Sequence, residues 1–186
     1  MAPDTAIRYD NNKVVVLDRD GTIVVDRHYL ADPDGLEFEP GAGRALRSMS
    51  DMGYRLVVVT NQSGLARGYF TVDQLEKIHA RMRQMLNAEG VQIAGIYFCP
   101  HDPSDGCECR KPGLGLMRQA AEELRFDMSQ SVVIGDKDSD IEMGRRAKAL
   151  TMLIGAEPMV PSSSNGPDYV IKDLTEAASI LRLLAR

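Results

Sequence analysis

The sequence predicts an α/β fold, a Rossmann-like three-layer sandwich built on a mostly parallel sheet. Three observations predict it. Short β-branched apolar runs alternate with helical segments, most of these runs end on a polar residue, and none approaches membrane-spanning length. Strands that alternate with helices are joined by crossovers, which makes the sheet mainly parallel with helices on its faces.

The elements follow in chain order. Residues 13–17 form a β-branched run, too short for a helix and bounded by Asp10, Asn11 and Asn12 on one side and Asp18 on the other. Residues 42–52 have helical periodicity that stops near Gly53. Residues 56–59 are a second buried strand. Residues 70–87 read as an amphipathic helix opened by Thr71, with Gln74 in capping-box register. A third strand is expected at 93–98, a helix at 115–124, a fourth strand at 131–134 and a helix at 141–149. Strand candidates at 151–154 and 169–171 follow. A last helix at 174–184 has Asp173 placed as its cap and Glu176 three residues on. The stretch PMVPSSSNGP at 158–167 reads as a surface loop.

Composition narrows the function classes. The chain has 186 residues, long enough to bury a substantial core, and one domain over 1–186 is expected. A formal net charge of −5 supplies no basic field for nucleic acid, and the absence of tryptophan argues against a base-stacking platform. The first twelve residues, MAPDTAIRYDNN, are polar and acidic rather than signal-like. The expectation is a cytoplasmic monomer with a small-molecule substrate, no nucleic-acid partner and no membrane partner.

In open parallel sheets, ligands bind beyond the carboxyl ends of the strands. Asp18, Thr60, Cys99 and Asp136 each follow or close one of the first four apolar runs, so the polar residues gather on one edge. The segment VVVLDRDGTI puts Asp18 and Asp20 two residues apart just past a buried strand. One carboxylate can attack phosphorus, and its neighbour can hold the proton that a leaving oxygen needs. Like charges this close disfavour joint ionisation, which helps keep one acid protonated. In VVVTNQSG, Thr60, Asn61, Gln62 and Ser63 offer uncharged donors to phosphate oxygens. Lys111, in the RKP run 110–112, could neutralise charge on a transferring group, with Pro112 suited to the start of a helix. In VVIGDKDSD, Asp136, Asp138 and Asp140 supply the hard oxygen ligands that suit magnesium. Each of these motifs alone also reads as an ordinary charged turn, loop or helix cap. Their order along the chain is the specific signal.

The three cysteines lie between Cys99 and Cys109, an odd number too closely spaced for a disulfide framework. In CPHDPSDGCEC, Cys99, His101, Cys107 and Cys109 form a quartet of three thiols and one imidazole that suits tetrahedral zinc. All four fall in one loop with no catalytic base among them, so a structural site is expected. His79 sits inside the second helical segment and reads as structural.

With its four motifs in this order over essentially the whole chain, the sequence resembles the haloacid dehalogenase superfamily of phosphotransferases. The resemblance implies that family's fold with a minimal cap and a zinc-binding loop. It implies a magnesium-dependent phosphatase with Asp18 as nucleophile and Asp20 as general acid, then general base. Thr60 and Lys111 would bind the phosphoryl group. Asp18, the main-chain carbonyl of Asp20 and Asp136 would hold magnesium, with Asp140 behind them. The runs TNQSGLARGYFT (60–71), DRHY (26–29) and GDK (135–137) resemble sugar bisphosphate phosphatases of the zinc-loop branch more than its histidinol phosphate phosphatases. On that resemblance Asp26, Arg27, His28, Tyr29 and Arg67 join the substrate-binding set. A second phosphate needs cations of its own, and Arg110 and Lys137 are available. One departure is Gly113-Leu114 after Pro112, where a second proline is expected. A binding module without catalysis is the alternative of another class. The joint presence of Asp18, Asp20, Thr60, Lys111 and Asp136 argues against it.

Overall fold

In a computed structural model, residues 13–155 and 166–185 are described. The N-terminal segment 1–12 and most of the loop at 158–167 lie outside them. Six strands form one sheet in the order β3-β2-β1-β4-β5-β6, and every pairing is parallel. They are β1 (Val14–Leu17), β2 (Arg55–Asn61), β3 (Ile93–Cys99), β4 (Val132–Gly135), β5 (Leu150–Ile154) and β6 (Tyr169–Ile171). The helices are α1 (Ala42–Asp51), α2 (Val72–Ala88), α3 (Gly115–Leu124), α4 (Asp138–Arg146) and α5 (Leu174–Leu184).

The two-residue period of β1 explains the three layers. Val15 and Leu17 pack on one face of the sheet with Ala45, Leu46 and Met49 of α1, Ile78, Met82 and Leu86 of α2, and Ala177 and Leu181 of α5. Val14 and Val16 point to the other face, against Leu116, Met117 and Ala120 of α3 and Met143 of α4. A strand covered on both sides needs apolar residues at every position, and all four residues of β1 are buried.

Helix ends follow the expected local chemistry. The Thr71 side chain accepts a hydrogen bond from the Gln74 N–H at 3.2 Å, and the Gln74 side chain accepts one from the Thr71 N–H at 2.9 Å. The Asp173 side chain caps α5 through the N–H groups of Thr175 and Glu176. Helix α4 departs from expectation, beginning at Asp138 and not at 141. The acids Asp138 and Asp140 sit in its first turn, where the helix dipole favours them. It also stops early, because Lys148 takes a left-handed backbone with φ of 60°. Pro112 does not open a helix either, since α3 starts at Gly115.

The strand order places the site. From β1 the chain moves outward through β2 and β3, then returns to β4 on the other side of β1. The crevice of such a sheet opens where this reversal occurs, beyond the ends of β1 and β4. Asp18 and Asp136 are the residues that follow those two ends.

Candidate active site

Asp18 leaves β1 with its N–H donating to the Ile134 carbonyl of β4 at 3.0 Å, and its side chain is buried. Against it lies the ammonium of Lys111, brought from 93 residues away. Lys111 Nζ donates to Asp18 Oδ1 at 2.6 Å and to the Val59 carbonyl at 2.8 Å, and it lies 2.6 Å from Asp140 Oδ1 as an ion pair. Burial alone would disfavour the ammonium, but Asp18 and Asp140 outweigh it and raise its pKa. Asn61 holds the lysine's backbone in place. Its amide donates to the Lys111 carbonyl at 3.3 Å and its carbonyl accepts from the Lys111 N–H at 3.0 Å. The expected phosphate donor is thus occupied as a backbone clamp.

The acids form a tight group. Ligand oxygens of Asp18, Asp136 and Asp140 all lie within 4.8 Å of one another. Burial pushes the Asp136 carboxyl up, and it pushes Asp140 up to about 6 despite Lys111 beside it. Asp136 Oδ1 is buried with no hydrogen-bond partner among the described residues, an arrangement that costs free energy unless a cation completes it. Gly21 makes room for this carboxylate: with φ of 78°, any Cβ there would run into Asp136. Buried carboxylates with an unmatched oxygen fit a hard divalent cation such as magnesium. Asp140, expected behind the ligands, is a full member of the cluster and a partner of Lys111.

Asp20 is not simply a second charge beside Asp18. The side chain of Arg19, 2% exposed, folds onto it in a fork: Nε donates to Oδ1 at 3.0 Å and a terminal nitrogen to Oδ2 at 2.8 Å. Gln62 Nε2 donates to the same Oδ2 at 2.9 Å and to Thr60 Oγ1 at 2.9 Å. Sequence reasoning passed over Arg19, because an arginine between two acids reads as a solvated charge.

These groups open into a cleft lined by Asp20, Asp26, His28, Tyr29, Ser63, Arg110 and Lys137. Lys137 Nζ lies 3.5 Å from both Asp26 and Asp136. Burial would lower the Lys137 pKa, but Asp136, Asp18 and Asp26 outweigh it and raise it. His28 and Tyr29 both have positive φ, 48° and 66°, a conformation uncommon for bulky residues and often found at ligand sites. Two expected substrate cations are occupied elsewhere. Arg27 pairs with Glu37, and Arg67 links Asp102 at 2.7 Å to the Tyr29 hydroxyl at 2.6 Å. Neither lines the cleft. Arg67 instead ties the loop carrying Tyr29 to the loop carrying Asp102.

The Cys–His quartet converges as the spacing implied. Ligand atoms of Cys99, His101, Cys107 and Cys109 lie within 4.8 Å of one another, and all three cysteines are free thiols. The S···S separations are 3.1 to 3.6 Å. A tetrahedral zinc–thiolate site has edges of roughly 3.8 Å for a Zn–S bond of about 2.3 Å, so the set fits with slight expansion. Cys99 is the last residue of β3 and not a loop position, which anchors the loop to the sheet. That anchor sets where the next residues enter, since Arg110 and Lys111 come directly after Cys109.

A family model described as "HAD-hyrolase-like" matches residues 108–177. The D-glycero-beta-D-manno-heptose-1,7-bisphosphate 7-phosphatase of Haemophilus influenzae is 39% identical over 183 residues, covering 94% of this chain and 100% of that protein. The protein of the same name from Escherichia coli K12 is 38% identical, covering 90% of this chain and 93% of its own. A crystal structure of D,D-heptose 1,7-bisphosphate phosphatase from B. bronchiseptica, complexed with magnesium and phosphate, superimposes with a TM-score of 0.81 at 32% identity. It covers 92% of this chain and 99% of that one. With this identity over nearly its full length, the chain belongs to the D-glycero-beta-D-manno-heptose-1,7-bisphosphate 7-phosphatase family of haloacid dehalogenase-like hydrolases.

Proposed function

We propose that this chain, acting as one domain, removes the 7-phosphate of D-glycero-D-manno-heptose 1,7-bisphosphate through a phosphoryl-enzyme on Asp18. The observation that carries the chemistry is the buried Asp18–Lys111 contact of 2.6 Å at the end of β1, with the cleft above it. The substrate is carried by the heptose bisphosphate phosphatases that this chain resembles over nearly its whole length.

A carboxylate oxygen of Asp18 attacks phosphorus, and the bond from phosphorus to the sugar oxygen breaks with its electron pair going to that oxygen. Asp20 donates the proton that completes the leaving alcohol. Of its two oxygens, Oδ2 receives two donors and Oδ1 only one, so Oδ1 is the one free to carry the proton. Water then attacks phosphorus, Asp20 takes its proton, and the bond to Asp18 breaks to release inorganic phosphate and restore the carboxylate. Lys111 holds Asp18 in line and offsets charge on the phosphoryl oxygens. A magnesium ion held by Asp18, the Asp20 main-chain carbonyl and Asp136 would neutralise those oxygens further. The product keeps its anomeric phosphate, the group needed for later nucleotide activation.

Two expectations test this reading. Gly21→Ala places a methyl where the Asp136 carboxylate lies, on a backbone that side chains rarely adopt. The magnesium concentration for half-maximal activity should rise on the order of ten- to a hundredfold, the scale of losing ligand orientation. An unchanged magnesium requirement would remove Asp136 from the metal site. Arg110, beside the cleft with Lys137, is assigned to the remote phosphate. Arg110→Ala should lower kcat/KM for the bisphosphate about ten- to a hundredfold, the scale of a charge-assisted contact. A monophosphate should be little affected. Equal losses on both substrates would end that role.

The zinc quartet, on this reading, is structural. Zinc would hold Cys109 to β3 and so set the direction in which Arg110 and Lys111 enter the site.

A further inference from the structure

We infer that His79 is a positioning residue for the proton donor: it holds the Arg19 guanidinium in the one orientation that presents its fork to Asp20. The inference rests on the reading of Asp20 as general acid. Helix α2 buries Leu75, Ile78, Met82 and Leu86 along one stripe, and His79 is the polar residue on that stripe. Its Nε2 lies 3.2 Å from a terminal nitrogen of Arg19. Arg19 meets Asp20 through Nε and its other terminal nitrogen, at 3.0 and 2.8 Å. The guanidinium is therefore held between two partners, an acceptor on α2 and the carboxylate at the site.

The chemistry requires an acceptor there. A guanidinium has donors on every edge and no acceptor, and Arg19 is 2% exposed, so an N–H turned toward α2 has no water to bind. Leaving it unpaired is costly, and rotation to find a partner would break the fork on Asp20. Burial, then Arg19 and Arg83, pull the His79 pKa down to about 3. The ring is neutral in ordinary buffers, with its Nε2 lone pair free to accept and its proton on Nδ1.

The readout that separates positioning from packing is the leaving group. An alkoxide leaving a sugar phosphate needs a proton from Asp20, whereas p-nitrophenolate leaves without one. kcat/KM covers only steps through phosphoryl transfer to Asp18, so the later general-base role of Asp20 does not enter. In the zinc- and magnesium-loaded protein, His79→Leu should lower kcat/KM for heptose 1,7-bisphosphate about tenfold or more, part of the typical general-acid contribution. Its kcat/KM for p-nitrophenyl phosphate should stay within about twofold of wild type. His79→Gln, which returns an acceptor, should recover most of the loss, and His79→Ala serves if the leucine variant does not fold. Equal losses on both substrates, or no loss on the bisphosphate, would overturn the inference. Asp20→Asn is the control. If it too shows no leaving-group selectivity, the acid assignment itself falls and the inference with it. Selectivity in Asp20→Asn without any in the His79 variants rejects His79 alone.

Discussion

Asp18→Asn should lower turnover at least about a thousandfold while the protein stays folded. An amide cannot attack phosphorus, and the remaining groups can only bind and orient the substrate. Stability should hold because the substitution removes one of three clustered acids and leaves Lys111 its partner Asp140 at 2.6 Å. The buried lysine is therefore not stranded without a counter-charge, the usual cause of a large loss. Thermal unfolding should show a midpoint no lower than wild type. In the wild-type protein, acid quenching in mid-reaction followed by mass spectrometry should find a phosphoryl group on the peptide that contains Asp18. Near-normal turnover in Asp18→Asn would rule out the covalent mechanism.

Removing zinc should have the largest effect on stability. A metal that binds the folded state alone adds about 4 kcal/mol at a thousandfold excess over Kd. In a domain of this size each kcal/mol moves the midpoint by roughly 2–4 °C, so chelation should lower Tm by about 8–16 °C. Activity should fall as well, for a geometric reason. The quartet ties Cys109 to the end of β3, and Lys111 follows two residues later, where it meets Asp18. The same loop carries Asp102, whose contact with Arg67 reaches Tyr29 at the cleft. Metal analysis should find about one zinc per chain. Zinc, and not added magnesium, should restore the melting temperature. A metal-free preparation that melts and turns over as before would refute the structural role.

Much of the fold was legible because its signals are local. Strand β6 and helices α3 and α5 begin and end where their apolar patterns and caps indicate. The capping box of Thr71 and Gln74 needs only residues three apart. The start of α4 was less legible. Asp138 and Asp140 suit a loop as well as a helix N-terminus, and the choice depends on Gly135 and Lys137 packing against Asp140.

By itself, the sequence determined the order of strands and helices, the strand ends that carry Asp18 and Asp136, and the Cys–His quartet. Those features depend on spacing within a few residues, and spacing is what a chain states directly. Only the tertiary structure decided where the charged and amide side chains went. It sent Lys111 between Asp18 and Asp140, turned Asn61 into a clamp, paired Arg27 with Glu37 and Arg67 with Asp102, and set Arg19 between Asp20 and His79. A long polar side chain has many partners within reach. The choice among them follows from which groups the fold buries without water, and that is settled only when distant segments meet.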